Sequence, residues 1–447
     1  MNLKRFLYLA ILLSLLYSRC SAKKNHSPNV ILILADDMGI GDVSMINEGR
    51  THTPAINNLA QAGIWFSQAY SAAPVCAPAR AALLTGQYPH RTGCVTLNMR
   101  SFPELARMKK GLHTLADVFK ENGYATGLVG KWHCGIGEDY HPLSRGFQEF
   151  EGFHGFNVPS YFDYEMMVQD SLIDVKDNYL TRDISERAIR FVRRHRKEPF
   201  FLHLAHYAPH RPLGAPEQEV SKYQEQGFDK KTATIYAMIE IMDEGIGRLI
   251  DELEQLGLRK NTLIIFASDN GPDPLTGGRF NMSLKGTKYM VNEGGIRVPF
   301  IVNWPGKVKP GKVEQPVHFN DVFPTLVEVC NLDVPFQQKT DGKSFAGVLH
   351  GEKPHQPVTR MWQWNRGVPD YSYNAAIRQG DWKLVRPYVS HWEIPMEKSE
   401  LKPVLYNLEN DPAEQHDVSE KNPAIYRELR VKLEQWCREV EYDRLKN

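Results

Sequence analysis

Four short polar clusters carry the chemistry this sequence could perform. Asp36 and Asp37 end the apolar run NVILILADD (29–37), and Asp269 and Asn270 end a second run of the same design, NTLIIFASDNG (261–271). One pair of acids after a strand serves equally well as a helix cap or a solvated turn. Two such strand ends are different, because three carboxylates and a carboxamide could converge on one edge of a sheet. Hard oxygen donors without His or Cys suit Ca²⁺ or Mg²⁺ rather than zinc, and outside the cytosol they favour Ca²⁺.

The third cluster surrounds a cysteine. In SAAPVCAPARAALLTG (71–86), Cys76 lies between two prolines. Pro78 is tolerated in a first helical turn, Ala81 to Leu84 favour helix, and Gly86 is a natural stop. Cys76 should therefore head a helix, where backbone N–H groups and the helix dipole favour an anion and Arg80 can reach back from one turn later. Three readings stay open for it: a buried inert cysteine, a thiol nucleophile, or the precursor of another group. The fourth cluster supplies cations and proton carriers: Lys131 and His133 in GKWHCG, His210 in APHRP, and Lys285 or Lys288 in SLKGTKY. Each alone is an ordinary loop residue. Together they suit an anionic, tetrahedral substrate.

The elements that must position these groups alternate strand with helix. NVILILADD, ATGLVGKWHCG (125–135), PFFLHLAHYAPHRP (199–212) and NTLIIFASDNG each read as a strand running into a polar turn. Helical spacing runs from about Ala233 to Leu256 with Gly257 as a stop, and DVFPTLVEV (321–329) reads as a later helix. This order implies an α/β domain with a large, mostly parallel sheet sandwiched by helices, in which ligands gather beyond the carboxyl ends of the strands. The polar cluster of each of these four runs sits at such an end. After about Gly351 the texture changes to short aromatic strands such as AAIRQGDWKLVRP and a final amphipathic helix from about Ala424 to Val440. The reading is a main domain over 23–352 and a smaller α+β domain over 353–447, with an antiparallel sheet and a terminal helix.

Lys and Arg number 54 against 53 Asp and Glu, a formal net charge of +1, so no global field points to nucleic acid and any attraction to anions is local. Lys4 and Arg5, the apolar stretch FLYLAILLSLLY (6–17) and the small residues CSA (20–22) read as a signal peptide over 1–22, too short for a comfortable bilayer span. Cleavage there would remove Lys4, Arg5 and Arg19, leaving a formal charge of −2. The expectation is an exported protein, periplasmic or secreted, or lysosomal or extracellular in a eukaryote. Five cysteines remain after the leader (76, 94, 134, 330 and 437), an odd number that leaves at least one without an intrachain partner.

CAPAR followed by AALLTG matches the C-x-P-x-R signature of the type I sulfatases, which directs conversion of the cysteine to formylglycine, an aldehyde. ILADDMGIGD, GKWHCG, APHRP, SDNG, EGGIRVP and the tail LYNLENDPAEQHDVS occur in that family's order, so the resemblance covers nearly the whole chain after its leader. It implies an alkaline-phosphatase-like fold and a maturation enzyme that makes the formylglycine. Asp36, Asp37, Asp269 and Asn270 would hold a divalent metal, usually Ca²⁺, together with the modified Cys76. Arg80 and Lys131 would position and polarise the formylglycine hydrate, and His133 would be the base that releases sulfate from it. His210 and a lysine would bind the sulfate and assist the leaving oxygen. The family's spacing, five residues before the Glu of Glu-Gly-Gly (here Glu293), selects Lys288 over Lys285. His206 is the weaker competitor for His210, and Ser160 is a further candidate near the sulfate.

The chemistry accounts for the residue types. A hydrated aldehyde carries two hydroxyls on one carbon: one attacks sulfur, and loss of the other's proton re-forms the carbonyl as sulfate departs. Metal and cations neutralise charge on the transferring group. Two rivals share the scaffold: a phosphate or phosphonate monoester hydrolase, and a non-catalytic binder of sulfated glycans. The substrate is read as a sulfated carbohydrate, with specificity in the aromatic loops GFHGFNVPSYFDY (152–164) and RMWQWNRG (360–367), whose rings suit either stacking on sugars or packing.

Overall fold

The computed structural model describes residues 27–97, 100–155, 158–276, 279–352, 358–388 and 402–446. The leader expected over 1–22 lies outside the described residues. Strands Asn29–Ala35 (β1), Ala125–Lys131 (β2), Phe200–Ala205 (β3) and Thr262–Ser268 (β4) form the centre of a ten-stranded sheet in the spatial order β4-β1-β3-β2, all parallel. Beyond β2 come Glu149–Phe153, parallel, and an antiparallel hairpin; beyond β4 come antiparallel Phe300–Asn303 and two short edge strands.

All seven residues of β1 are buried, as are all seven of β4. Period-2 alternation explains how one strand feeds two cores. Val30, Leu32 and Leu34 pack on one face with the helix Cys76–Thr85 (α1), whereas Ile31, Ile33 and Ala35 pack on the other with Leu180–His195 (α2) and Lys230–Gln255 (α3). A strand covered on both faces reads as a continuous apolar run, which is why these four were visible as such.

α3 begins three residues ahead of the apolar spacing. Asp229 accepts hydrogen bonds from Lys231 N at 3.0 Å and Thr232 N at 3.2 Å, so a side-chain cap starts the helix over a polar first turn. The C-terminal helix, Pro423–Leu445 (α4), likewise outruns its apolar stripe of Leu429, Leu433, Trp436 and Val440. Its last turns are held by polar contacts, with Arg91 bonded to Glu439 at 2.7 Å and Asp443 at 3.0 Å.

The smaller sheet is antiparallel and sequential: Arg360–Gln363, Ala375–Gln379, Trp382–Arg386, Val404–Asn407. It is joined to the main sheet's loops by buried polar contacts. Lys383 lies between Glu293 at 2.8 Å and Glu414 at 2.9 Å, and Trp362 Nε1 donates to Ser71 O at 2.7 Å. Ser71 in turn donates to Asp269 O at 2.6 Å, so the small sheet braces the segment that leads into α1.

Candidate active site

The register of the parallel strands sets the site. Ala35 pairs with Ser268, so Asp36–Asp37 and Asp269–Asn270 leave the sheet side by side, with Asp269 N donating to Ala35 O at 3.1 Å. β2 ends at Lys131, two residues before His133, and β3 ends five residues before His210. Gly130 lets β2 and β3 approach: a Cβ there would stand 1.9 Å from Ala205 O. Asp37 and His133 have φ of 64° and 57°, a region sparsely used by non-glycine residues that costs about 1–3 kcal/mol each and clusters at functional positions.

α1 starts at Cys76, after Val75 in extended conformation, and stops at Gly86 with φ 71°, as its sequence implies. Its ten residues are all buried. Arg80, one turn on, donates Nε and Nη2 to Asp269 Oδ2 at 3.0 and 2.7 Å and Nη1 to Lys131 O at 3.2 Å. Lys131 Nζ bonds Asp36 Oδ2 at 2.6 Å, and Lys288 Nζ lies 2.7 Å from Asp37 Oδ1. Asn270 Nδ2 donates to Asp37 Oδ1 at 2.7 Å. Ligand atoms of Asp36, Cys76 and Asp269 lie within 4.8 Å of one another, as do those of Asp36, Asp37 and His210.

This set fits a hard divalent cation. Asp36 Oδ1 and Asn270 Oδ1 are buried with no hydrogen-bond partner among the described residues, a costly state for oxygen acceptors unless something positive faces them. Burial, with the charge of Asp36 beside it, raises the Asp269 carboxyl to about 6 despite Arg80 and Lys131. Burial also works against the Asp37 carboxylate, but the charge and hydrogen bond of Lys288 outweigh it and leave that group below its ordinary range.

Burial pushes the Cys76 thiol up, overriding the opposing pull of Lys131 and Lys288. All five described cysteines are free and buried.

Cys76, His133, His210 and Lys288 open onto one cleft of about 800 Å³. Both histidines are held neutral. Burial, then Lys131, depress His133 well below its usual value, and the same two causes bring His210 down to about 3. His133 Nε2 faces the Leu97 carbonyl at 3.3 Å and His210 Nδ1 the Arg211 carbonyl at 2.6 Å. A carbonyl can only accept, so those nitrogens carry the protons, leaving His133 Nδ1 and His210 Nε2 as the basic atoms. Lys288, stabilised by Asp37 against burial, stays firmly protonated.

The structure separates the competitors. Lys285 turns away to the Tyr406 hydroxyl at 2.9 Å, whereas Lys288 lines the cleft. Tight loop stacking produces this: Lys288 N donates to Pro272 O at 3.0 Å, and a Cβ on Gly271 would stand 2.0 Å from Gly294 O. His206 is fully buried and does not line the cleft. Ser160 Oγ caps its own turn, accepting from Phe162 N at 3.0 Å.

Four of the described rings in the aromatic loops serve as packing, while Phe162 stays exposed. Tyr161, Tyr164, Trp362 and Trp364 are at most 2% exposed, and these loops give the cleft Val158, Pro159 and Arg366 instead. Sequence reasoning missed Tyr289, Arg211 and Lys231 at the cleft. Tyr289 and Arg211 adjoin residues already singled out; Lys231 opens a helix and has no local signal.

The chain matches the family model described as "Sulfatase" over residues 28–332, and "N-sulphoglucosamine sulphohydrolase, C-terminal" over 286–441. It is 28% identical to an N-acetylgalactosamine-6-O-sulfatase of Bacteroides thetaiotaomicron, over 93% of this chain and 94% of that one. The mouse N-acetylgalactosamine-6-sulfatase is 31% identical, over 88% and 82%. The crystal structure of Ps i-CgsB in complex with k-i-k-neocarrahexaose superposes with a TM-score of 0.83 at 32% identity, covering 94% of both chains. The order of motifs, the parallel sheet with its catalytic-edge loops and these likenesses agree: the chain belongs to the sulfatase family and is a sulfuric ester hydrolase.

Proposed function

We propose that this sulfatase removes sulfate from a sulfated carbohydrate, using Cys76 after its conversion to formylglycine and a Ca²⁺ ion held by Asp36, Asp37, Asp269, Asn270 and the modified residue. The observation that carries the reading is the position of Cys76. It heads α1 within ligand reach of Asp36 and Asp269, faces the cleft, and has a thiol that burial keeps protonated. The carbohydrate is supported by the galactosamine sulfatases and the oligosaccharide complex among the similar proteins.

In this mechanism the formylglycine hydrate supplies the attacking hydroxyl and a second hydroxyl on the same carbon. The bound cation would draw charge from the sulfuryl oxygens. Arg80 does not reach into the cleft; its guanidinium, tied to Asp269 and the Lys131 carbonyl, fixes the acids around residue 76. Lys131, bonded to Asp36, places a buried charge beside the same carbon. Lys288 keeps its proton and holds the sulfate electrostatically from the cleft floor. His133, neutral with Nδ1 basic, accepts the proton whose removal frees sulfate. His210, whose Nε2 stands 3.7 Å from Asp37 Oδ2, would assist the leaving oxygen.

Export through the N-terminal leader and modification by a maturation enzyme belong to the same proposal. No helix among the described residues is long and apolar enough to cross a membrane.

Mass spectrometry of the Cys76 peptide from protein made in its natural host tests the nucleophile: an aldehyde at Cys76 is expected, and a fully unmodified, active enzyme overturns it. Turnover of matching sulfate and phosphate esters tests the transferred group, and a phosphate preference would refute the assignment.

A further inference from the structure

The charge of the cleft exceeds what one sulfate requires. Lys231, Lys288, Arg211 and Arg366 line it, and no Asp or Glu is among the lining residues described, in a chain whose formal net charge is only +1. The contrast with a second cleft of about 510 Å³ is direct: there Arg297, Lys312 and Arg378 are matched by Glu293, Glu314 and Asp381. Two of the catalytic cleft's cations have assigned partners. Lys288 is paired with Asp37, and Arg211 with Asp273 at 2.8 Å. Lys231 and Arg366 are exposed and have no ion-pair partner among the described residues.

Arg366 is also held in place. Its guanidinium carbon lies 5.8 Å from the Tyr289 ring centre, and Lys288 Nζ lies 5.7 Å from the same centre, so the sulfate-site cation and the rim cation adjoin one ring. Tyr289 packs on Trp364 at 5.5 Å between ring centres, and Asn374 Nδ2 donates to the carbonyls of both residues at 2.7 Å. Neighbouring Asn365 fastens the same turn, donating to Val368 O at 2.6 Å and accepting from Asp370 N at 2.7 Å. A cation carried on a turn held this way loses less freedom on binding than one on a mobile loop.

We propose that Arg366, with Lys231 on the same rim, binds a second anionic group of the substrate, a sulfate or carboxylate on the sugar next to the one bearing the scissile sulfate. The second group would lie by the Tyr289 ring that Lys288 and Arg366 both adjoin. The smaller sheet thus supplies a specificity residue to a site built by the larger one. This inference rests on the carbohydrate reading above.

The test compares kcat/KM of the matured enzyme on three defined disaccharides with the same scissile sulfate, whose neighbouring sugar is neutral, sulfated or carboxylated, with an aryl sulfate as control. Preference of about tenfold or more for an anionic neighbour is expected, mainly in KM, and the favoured arm identifies the group. Arg366→Ala should reduce that preference to under about threefold and flatten its salt dependence, while Arg366→Lys retains part of it. Equal turnover of all three disaccharides, or a preference untouched in Arg366→Ala, overturns the inference and leaves the carbohydrate reading standing. Turnover of the aryl sulfate with none of any disaccharide overturns both.

Discussion

Lys288 and Asp37 form a fully buried ion pair, 2.7 Å between Nζ and Oδ1, at the point where the metal-donor set meets the sulfate cleft. One carboxylate therefore has two neighbours: in the proposed site it would offer oxygen to a cation on one side, and it keeps a lysine charged on the other. The sequence holds these residues 251 positions apart.

Lysine substitutions should separate the two candidates. Lys288→Met is expected to lower kcat/KM on a sulfate ester by about 10²-fold or more, the usual cost of losing one preorganised charge at a reacting group. Lys285→Met, which loses only its Tyr406 contact, should change kcat/KM by less than about threefold. Steady-state kinetics on both variants decide it, and the reverse order would reassign the sulfate lysine.

Metal loading should appear in stability as well as rate. Chelator-treated protein is expected to gain thermal stability on addition of Ca²⁺, by about 2.7 kcal/mol when the ion stands at 100 times its dissociation constant, and Mg²⁺ should give less. Asp36→Ala, which removes the unpartnered Oδ1, should abolish the shift. Calorimetry with no Ca²⁺-dependent change would remove the ion from the proposal.

Acid should weaken the fold through its buried histidines. Burial lowers His203 and His206 to about 3, each from an ordinary value of 6.5. Depressed folded values mean the unfolded chain binds more protons, so their contribution is complete above about 6.5 and declines as pH falls toward 3. Each contributes a slope of about 1.4 kcal/mol per pH unit in that window. Asp243 and Asp269, raised by burial to about 7 and about 6, have the opposite sign and offset two protons, while burial of His90, lowered to about 4, and of His210, lowered to about 3, adds two on the histidine side. Denaturant unfolding should show a net loss of stability from pH 6.5 to 4.5, and a flat profile would contradict the burial of these rings.

Lys383→Met should be severe although it lies outside the cleft. The ammonium sits between Glu293 and Glu414, both about fully buried, and its loss leaves two adjacent carboxylates facing each other. A destabilisation of about 3–5 kcal/mol is expected in chemical unfolding. Adding Glu414→Gln to the variant should recover part of it.

Several features could be read before folding because their signals are local. The four central strands are continuous apolar runs ending in polar residues, and the helix at Cys76 is bounded by Val75 and Gly86 as its own residues require. Its motifs matched a family in order. Helix limits were less legible, since α3 is started by the Asp229 side chain rather than by apolar spacing. The aromatic loops left two uses open for a related reason: ring content says that a residue can bury area, and only packing says against what. Tyr161 and Trp362 spend theirs on the core.

By itself, then, the sequence determined the chemistry available: oxygen donors at two strand ends, a cysteine at a helix start, and histidines and lysines in turns. Tertiary structure decided which of them meet. Parallel register set Asp36 beside Asp269, loop stacking turned Lys288 inward and Lys285 outward, and packing of the smaller sheet brought Arg366 to the rim. Those relations join residues hundreds of positions apart, and they exist only once the two cores have closed around the sheet.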